Sequence, residues 1–144
     1  MDQKWRTRFM ALAEHVSGWS KDPSTKVGSV IVDEQKRVLG HGYNGFPRGV
    51  EDHAWRYEDR ELKYKMIVHA EANAILNSVR PVRGMTLVTT KYPCAECAKL
   101  IVQSGVRRVV CPVPTDRWRA DADVATVILQ EAGVEIWLED APSS

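Results

Sequence analysis

Two short stretches decide most of what this chain can be. His69-Ala70-Glu71 opens a run in which Ala70, Ala74 and Ile75 recur at helical spacing beside Val68 and Val79. Further along, Pro93-Cys94-Ala95-Glu96-Cys97 opens a second run, and its two cysteines are placed to share one face of a helical turn. If the two helix starts face each other, His69, Cys94 and Cys97 supply three of the four ligands of a tetrahedral zinc ion. A fourth position left to water marks a catalytic site rather than a closed structural one. Glu71 is then an acid beside the metal, free to move a proton.

Together, His69-Ala70-Glu71 and Pro93-Cys94-Ala95-Glu96-Cys97 resemble the signature of the zinc-dependent cytidine deaminase superfamily. Either half alone is weak, because a lone Cys-x-x-Cys also occurs in redox and structural sites. Both halves, in this order and each opening a helix, are specific.

The sequence has 144 residues, the size of one domain with a full core and no need of disulfide staples, and the predicted domain covers 1–144. Its 20 basic and 19 acidic residues leave a net charge of +1, which gives no strong field for nucleic acid or an anionic membrane. Of its three cysteines two belong to the metal motif; Cys111 lies in an apolar run and is predicted to be a buried thiol. There is no apolar leader and no apolar stretch of about 18 residues, so a cytoplasmic location without a membrane partner is expected.

Residues 2–19 place Trp5, Phe9, Leu12, Ala13 and Val16 at helical intervals, predicting a helix that covers one face of a sheet. In that helix His15 has no second ligand near it and reads as a surface residue. Residues 27–32 and 37–43 read as a hairpin, with Gly28, Gly40 and Gly42 where backbone approaches something closely. The polar segment 50–66 is predicted to be a functional loop with a short helix, or a solvated surface loop. A helix over 69–79, a buried strand over 85–90, a helix over 94–104, a strand over 107–112, a helix over 120–132 and a strand over 134–138 follow, then a polar tail from Asp140. The order α-β-β-α-β-α-β-α-β predicts an α/β fold: a three-layer α/β/α sandwich with a five-stranded mixed sheet, largely parallel. The deaminase superfamily has this fold, so resemblance and pattern agree.

Within the superfamily, the segments 22–28, 42–49 and 69–75 resemble the deoxycytidylate (dCMP) deaminase branch, and the likeness runs over residues 5–138. The resemblance implies hydrolysis of dCMP to dUMP and ammonia, feeding thymidylate synthesis, with one zinc per chain. Zinc lowers the pKa of bound water to about 7, and Glu71 is the implied catalytic acid and base. Asn44, and with it Ala70, are implied substrate contacts; the bland reading of Asn44 is a turn residue in Asn-Gly. Lys26 and Arg117 or Arg119 are candidates for a substrate phosphate, and Trp118 for stacking on base or sugar; the rival reading is a surface Arg pair and a half-buried Trp. Gly42, Tyr43, Asn44 and Gly45 correspond to an effector segment where, in regulated members, dCTP activates and dTTP inhibits. Members of this branch are usually homo-oligomers, with a hexamer favoured.

Two departures stand out. The loop before the motif helix holds only His53, where some members hold a second zinc. The stretch 112–119 has Trp118 where a tyrosine is usual nearby, which leaves a modified cytosine nucleotide open as substrate. The rival functions are deamination of free cytidine or deoxycytidine, deamination of a base in tRNA, and an inactive zinc-binding structural or nucleic-acid-associated protein.

Overall fold

The computed structural model describes residues 1–140, so the predicted tail from 141 to 144 lies outside the described residues. Helix α1 (Gln3–Ser17) starts where Asp2 accepts a hydrogen bond from Trp5 N at 3.1 Å, the usual cap for an otherwise unpartnered first-turn N–H. It leads into the hairpin β1 (Gly28–Val32) and β2 (Val38–Tyr43), then two short helices, α2 (Ala54–Glu58) and α3 (Arg60–Met66). The rest alternates: α4 (Ala70–Asn77), β3 (Thr86–Thr89), α5 (Ala95–Ser104), β4 (Arg108–Cys111), α6 (Arg119–Glu131) and β5 (Glu135–Leu138). A single 3-10 turn, Asp116–Trp118, precedes α6.

The five strands form one mixed sheet in the order β2-β1-β3-β4-β5. Strands β2, β3, β4 and β5 all run the same way, with β3–β4 and β4–β5 paired in parallel; β1 alone is reversed, antiparallel to both of its neighbours. The sheet is therefore mixed and largely parallel, as the order of elements and the hairpin predict. The reason is that the crossover through α4 joins β2 to β3, which run the same way, and the hairpin folds β1 into the gap between them.

Side-chain alternation along each strand separates two cores. Val30, Val32, Val88 and Val110 pack against Phe9, Met10, Ala13 and Val16 of α1. On the opposite face Ile31, Leu87, Val109 and Cys111 pack against Ala74 of α4, Ala98 and Ile101 of α5, and Ala125 and Leu129 of α6. One helix below the sheet and three above make the three layers. Fully burying one such Leu or Ile stabilises by about 1.5–3 kcal/mol, so the sheet is a rigid base for whatever its strand ends carry. Trp5 and Phe9 are packing residues as predicted, with ring centroids 5.5 Å apart.

Two glycines set how closely helices approach the sheet. A Cβ on Gly28 would lie 2.0 Å from Ala13 O of α1, and one on Gly42 would lie 2.3 Å from Ala74 N of α4. No side chain fits at either position. Helix α4 is shorter than the predicted 69–79. Its chain leaves the helix at Ser78, and Val79 N donates instead to Leu39 O of β2 at 3.0 Å. Pro81 disfavours helix at the residue before it, which reinforces the early stop.

Candidate active site

In open α/β sheets the side chains that meet a ligand gather beyond the carboxyl ends of the strands. Here Asn44 follows the end of β2, and Lys91, Tyr92 and Cys94 follow the end of β3; all four line a cavity of about 380 Å³. The volume is within the range of roughly 300–1,000 Å³ typical of small-molecule sites.

His69 and Cys94 are the N-cap residues of α4 and α5, so each sits in extended backbone just before a helix begins. Cys97 is one turn into α5, and its backbone N–H points at Cys94 Sγ at 3.4 Å. His69 Nδ1 lies 3.3 Å from Cys97 Sγ and 3.4 Å from Cys94 Sγ. Ligands bound at about 2.0–2.3 Å to a tetrahedral zinc stand roughly 3.3–3.8 Å apart, so these spacings and donor types fit that ion. No other group of three or more metal donors occurs among the described residues, and the fit is to one zinc per chain. His53, the only residue that suggested a second metal, is on the surface beside Glu51.

The electrostatics are those of clustered ionisable groups in a dry place. A hydrogen bond with Cys94 raises the His69 pKa against the opposing effect of burial. The Cys94 thiol is lowered to about 4, chiefly by its hydrogen bond with Cys97 and then by that with His69. Cys97 is driven upward by sharing its proton with Cys94 and by burial. Glu71 is 5% exposed, and burial raises its carboxyl above the ordinary carboxylate value, with the nearby imidazole of His69 opposing the shift. Outside the site, Cys111 is a buried thiol as predicted, pushed up to about 12 by desolvation.

The predicted substrate residues divide. Asn44, Ala70, Arg117 and Trp118 line the cavity together with Glu71. Lys26 does not: its side chain is exposed and its ammonium donates to Ser20 O. The strand it enters alternates, and Val27 is the neighbour that turns inward. Arg119 pairs with Asp116 at 3.5 Å on the surface, and it too is outside the lining. Of the four residues at 42–45 only Asn44 reaches the cavity. Gly42 is packed against α4, and Tyr43 faces outward with its ring 6.1 Å from Trp19.

Several residues that sequence reasoning passed over contribute to the wall. Lys91 lies over the Trp118 indole at 4.9 Å from the ring centroid, and the Arg117 guanidinium lies 5.1 Å from the same centroid. Among the described residues neither cation is ion-paired with a carboxylate. Lys91 stands three residues before Cys94, and that proximity to the motif was the available signal. The segment 50–66 forms two helices rather than a loop with one, and Tyr57, Glu58, Arg60, Lys63 and Tyr64 reach the cavity from it. Asp22 and Lys63 form a buried ion pair, Oδ2 to Nζ at 2.9 Å. Burial opposes ionisation of Asp22, but hydrogen bonds from Ser24, Lys63 and Thr25 outweigh it and hold the carboxyl below its ordinary value.

A three-layer α/β/α domain with one imidazole, two thiols and a buried carboxylate at facing helix starts is the architecture of a zinc-dependent hydrolytic deaminase. The family profile of the cytidine and deoxycytidylate deaminase zinc-binding region matches residues 3–113, most of the chain, and the chain belongs to that family. It is 43% identical over 143 residues to an uncharacterized deaminase from the luxG 3' region of Aliivibrio fischeri, covering 96% of each chain. It is 37% identical over 137 residues to human deoxycytidylate deaminase, covering 91% of this chain and 77% of the human one. The dCMP deaminase of cyanophage S-TIM5, solved in complex with dCMP and dUMP, superposes with a TM-score of 0.79 at 28% identity, covering 96% of this chain and 99% of the phage chain. No helix among the described residues is long and apolar enough to cross a membrane.

Proposed function

We propose that this protein catalyses the zinc-dependent hydrolysis of dCMP to dUMP and ammonia. The observation that carries the reading is the buried Glu71 carboxyl beside the His69, Cys94 and Cys97 donors, in a cavity whose mouth holds Lys91 and Arg117. The relatives support the substrate, since they include deoxycytidylate deaminases and a phage enzyme solved with dCMP and dUMP.

His69, Cys94 and Cys97 hold the zinc. When bound, zinc supplies the Lewis acid that makes water a nucleophile near neutral pH. Glu71 takes a proton from the attacking water and delivers it to the ring nitrogen next to the reacting carbon. It then carries the proton of the newly added hydroxyl to the amine, whose bond to the ring carbon breaks, leaving the carbonyl of dUMP and ammonia. Burial suits it to this work, because a carboxyl whose pKa is raised holds a proton more readily and so can take one and return it. The N-termini of α4 and α5 direct backbone N–H groups and positive dipole toward the thiolates.

Lys91 and Arg117 meet the 5'-phosphate, with the Trp118 indole between them as a platform for base or sugar. Asn44 meets the sugar, and Ala70 borders the base. A free nucleoside has no group for the two unpaired cations, which favours a nucleotide. The reading extends to a single deaminase domain working in the cytoplasm as a homo-oligomer, a hexamer by analogy with the branch, with dCTP and dTTP as effectors at residues 42–45.

The test is ammonia release from dCMP, CMP, dCTP, deoxycytidine and a tRNA hairpin in parallel. Preferential turnover of dCMP is the expected result. Preference for the hairpin or for deoxycytidine would assign the site to another substrate, and no release from any of them would leave a zinc-binding protein without this activity.

A further inference from the structure

Asn44 is 6% exposed, and its carboxamide is almost fully used. Its Nδ2 donates to Thr25 O at 2.8 Å and to Asp22 Oδ2 at 3.3 Å, and its Oδ1 accepts from Val27 N at 2.9 Å. An amide has two donor hydrogens and an oxygen with two lone pairs. Both hydrogens are therefore taken, and one acceptor site on Oδ1 remains. A group facing the cavity with only an acceptor left selects a donor, such as a sugar hydroxyl.

That arrangement depends on an assembly beside it in which Ser20, Asp22 and Lys63 are buried while Ser24 and Thr25 are exposed. Asp22 Oδ1 accepts from Ser24 N at 2.9 Å, Ser24 Oγ at 3.0 Å and Thr25 N at 3.3 Å. Lys63, reaching across from α3, donates to Asp22 Oδ1 at 3.1 Å and to Ser24 Oγ at 2.8 Å. Ser20 Oγ closes the loop by donating to Asn44 O at 2.8 Å while accepting from Asp22 N at 3.2 Å. Rotating the carboxamide by half a turn would set its oxygen against Asp22 and Thr25 O, three acceptors together, and its amine against the Val27 N–H. Thr25 O and the Val27 N–H set this preference, and the charged Asp22 carboxylate reinforces it.

We infer that Asp22 and Lys63 are a positioning pair that locks the Asn44 carboxamide in one orientation, so that the cavity distinguishes a substrate carrying a sugar hydroxyl from one that lacks it. The pair touches no reacting atom in this account and acts through Asn44. The inference rests on dCMP being the substrate, as proposed above.

The experiment compares dCMP with 2',3'-dideoxycytidine monophosphate in wild type, Asn44→Ala, Asp22→Asn, Ser24→Ala and the double variant Asp22→Asn/Asn44→Ala. Wild type should prefer dCMP by about tenfold in kcat/KM, the scale of one well-made hydrogen bond. Asn44→Ala should bring the ratio near one. Asp22→Asn should lower the ratio several-fold, mainly through KM for dCMP and with zinc content unchanged, and the double variant should fall no lower than Asn44→Ala. Ser24→Ala, a milder change at an exposed residue, should move the ratio part of the way and stands in if Asp22→Asn does not fold. A merely structural pair would lower both substrates equally. A ratio preserved in Asp22→Asn, or in Ser24→Ala should that variant alone fold, overturns the inference, as does a wild type indifferent to the hydroxyl. Failure of wild type to deaminate dCMP at all would instead remove the underlying function.

Discussion

His69 Nδ1 and Cys94 Sγ stand 3.4 Å apart although each belongs to a different helix and to the connection after a different strand. Both are N-caps, so the two side chains are delivered by the same local geometry, extended backbone turning into helix, at the ends of strands that run the same way. The metal site is thus a property of the sheet topology as much as of the motif residues.

Metal removal follows from this. Stripping the protein with a chelator should abolish deamination, and stoichiometric zinc should restore it. Zinc at one hundred times its dissociation constant should also stabilise the fold by about 2.7 kcal/mol. Cys94→Ser should bind zinc far more weakly and lose both effects. Full activity in a preparation shown by elemental analysis to hold no metal would sink the zinc assignment.

The close approach of β2 to α4 gives a second prediction. In Gly42→Ala the new methyl would fall 2.3 Å from Ala74 N and 2.5 Å from Ala70 O, both backbone atoms that move only with the helix. Overpacking of this kind costs about 1–3 kcal/mol, sometimes more. Helix α4 carries Glu71 and starts at His69, so activity and zinc affinity should fall along with the denaturation midpoint. A variant as stable and active as wild type would show that α4 is free to shift.

Lys91 and Arg117 are predicted to act on the phosphate. Lys91→Met and Arg117→Met should each raise KM for dCMP by roughly tenfold, the scale of one charge-assisted hydrogen bond, and leave the weak turnover of deoxycytidine nearly unchanged. Added salt should weaken dCMP binding by wild type more than by either variant. Equal losses on both substrates would point to a packing role around Trp118.

Asp22 gives a pH dependence whose sign is determined. Its carboxyl has a lower pKa in the fold than in the unfolded chain, because the hydrogen bonds from Ser24, Lys63 and Thr25 prevail over burial. A lowered acid contributes stability that is complete above the unfolded value of about 3.9 and disappears as pH falls through the folded value. The stability deficit of Asp22→Asn against wild type should therefore be full at neutral pH and shrink below about pH 4. Urea unfolding of both proteins across that range measures it, and a constant gap would contradict the assignment.

The element order, the three layers and the zinc donors were legible because each rests on local pattern: alternating apolar residues, helix starts and a spaced motif. The antiparallel hairpin was legible too, but the place of β1 between β2 and β3 was not, since it depends on where the hairpin inserts, and that is decided by the crossover between β2 and β3. The same limit applies to the substrate wall. Lys26 looked like a phosphate ligand and turns outward, whereas Lys63 and Asp22 lie far apart in sequence and meet only when α3 folds over the 20–26 loop. Long-range pairing of charged side chains leaves no periodic trace, so nothing in the polar segment 50–66 singled out Lys63.

The most direct test of the account is Glu71→Gln. The amide keeps the shape of the side chain and cannot carry a proton between water, ring and leaving amine. The variant should retain one zinc per chain while its kcat on dCMP falls by about 10²–10⁴-fold, the usual contribution of a positioned acid and base. Turnover of dCMP at the wild-type rate by a zinc-loaded Glu71→Gln protein would contradict the account.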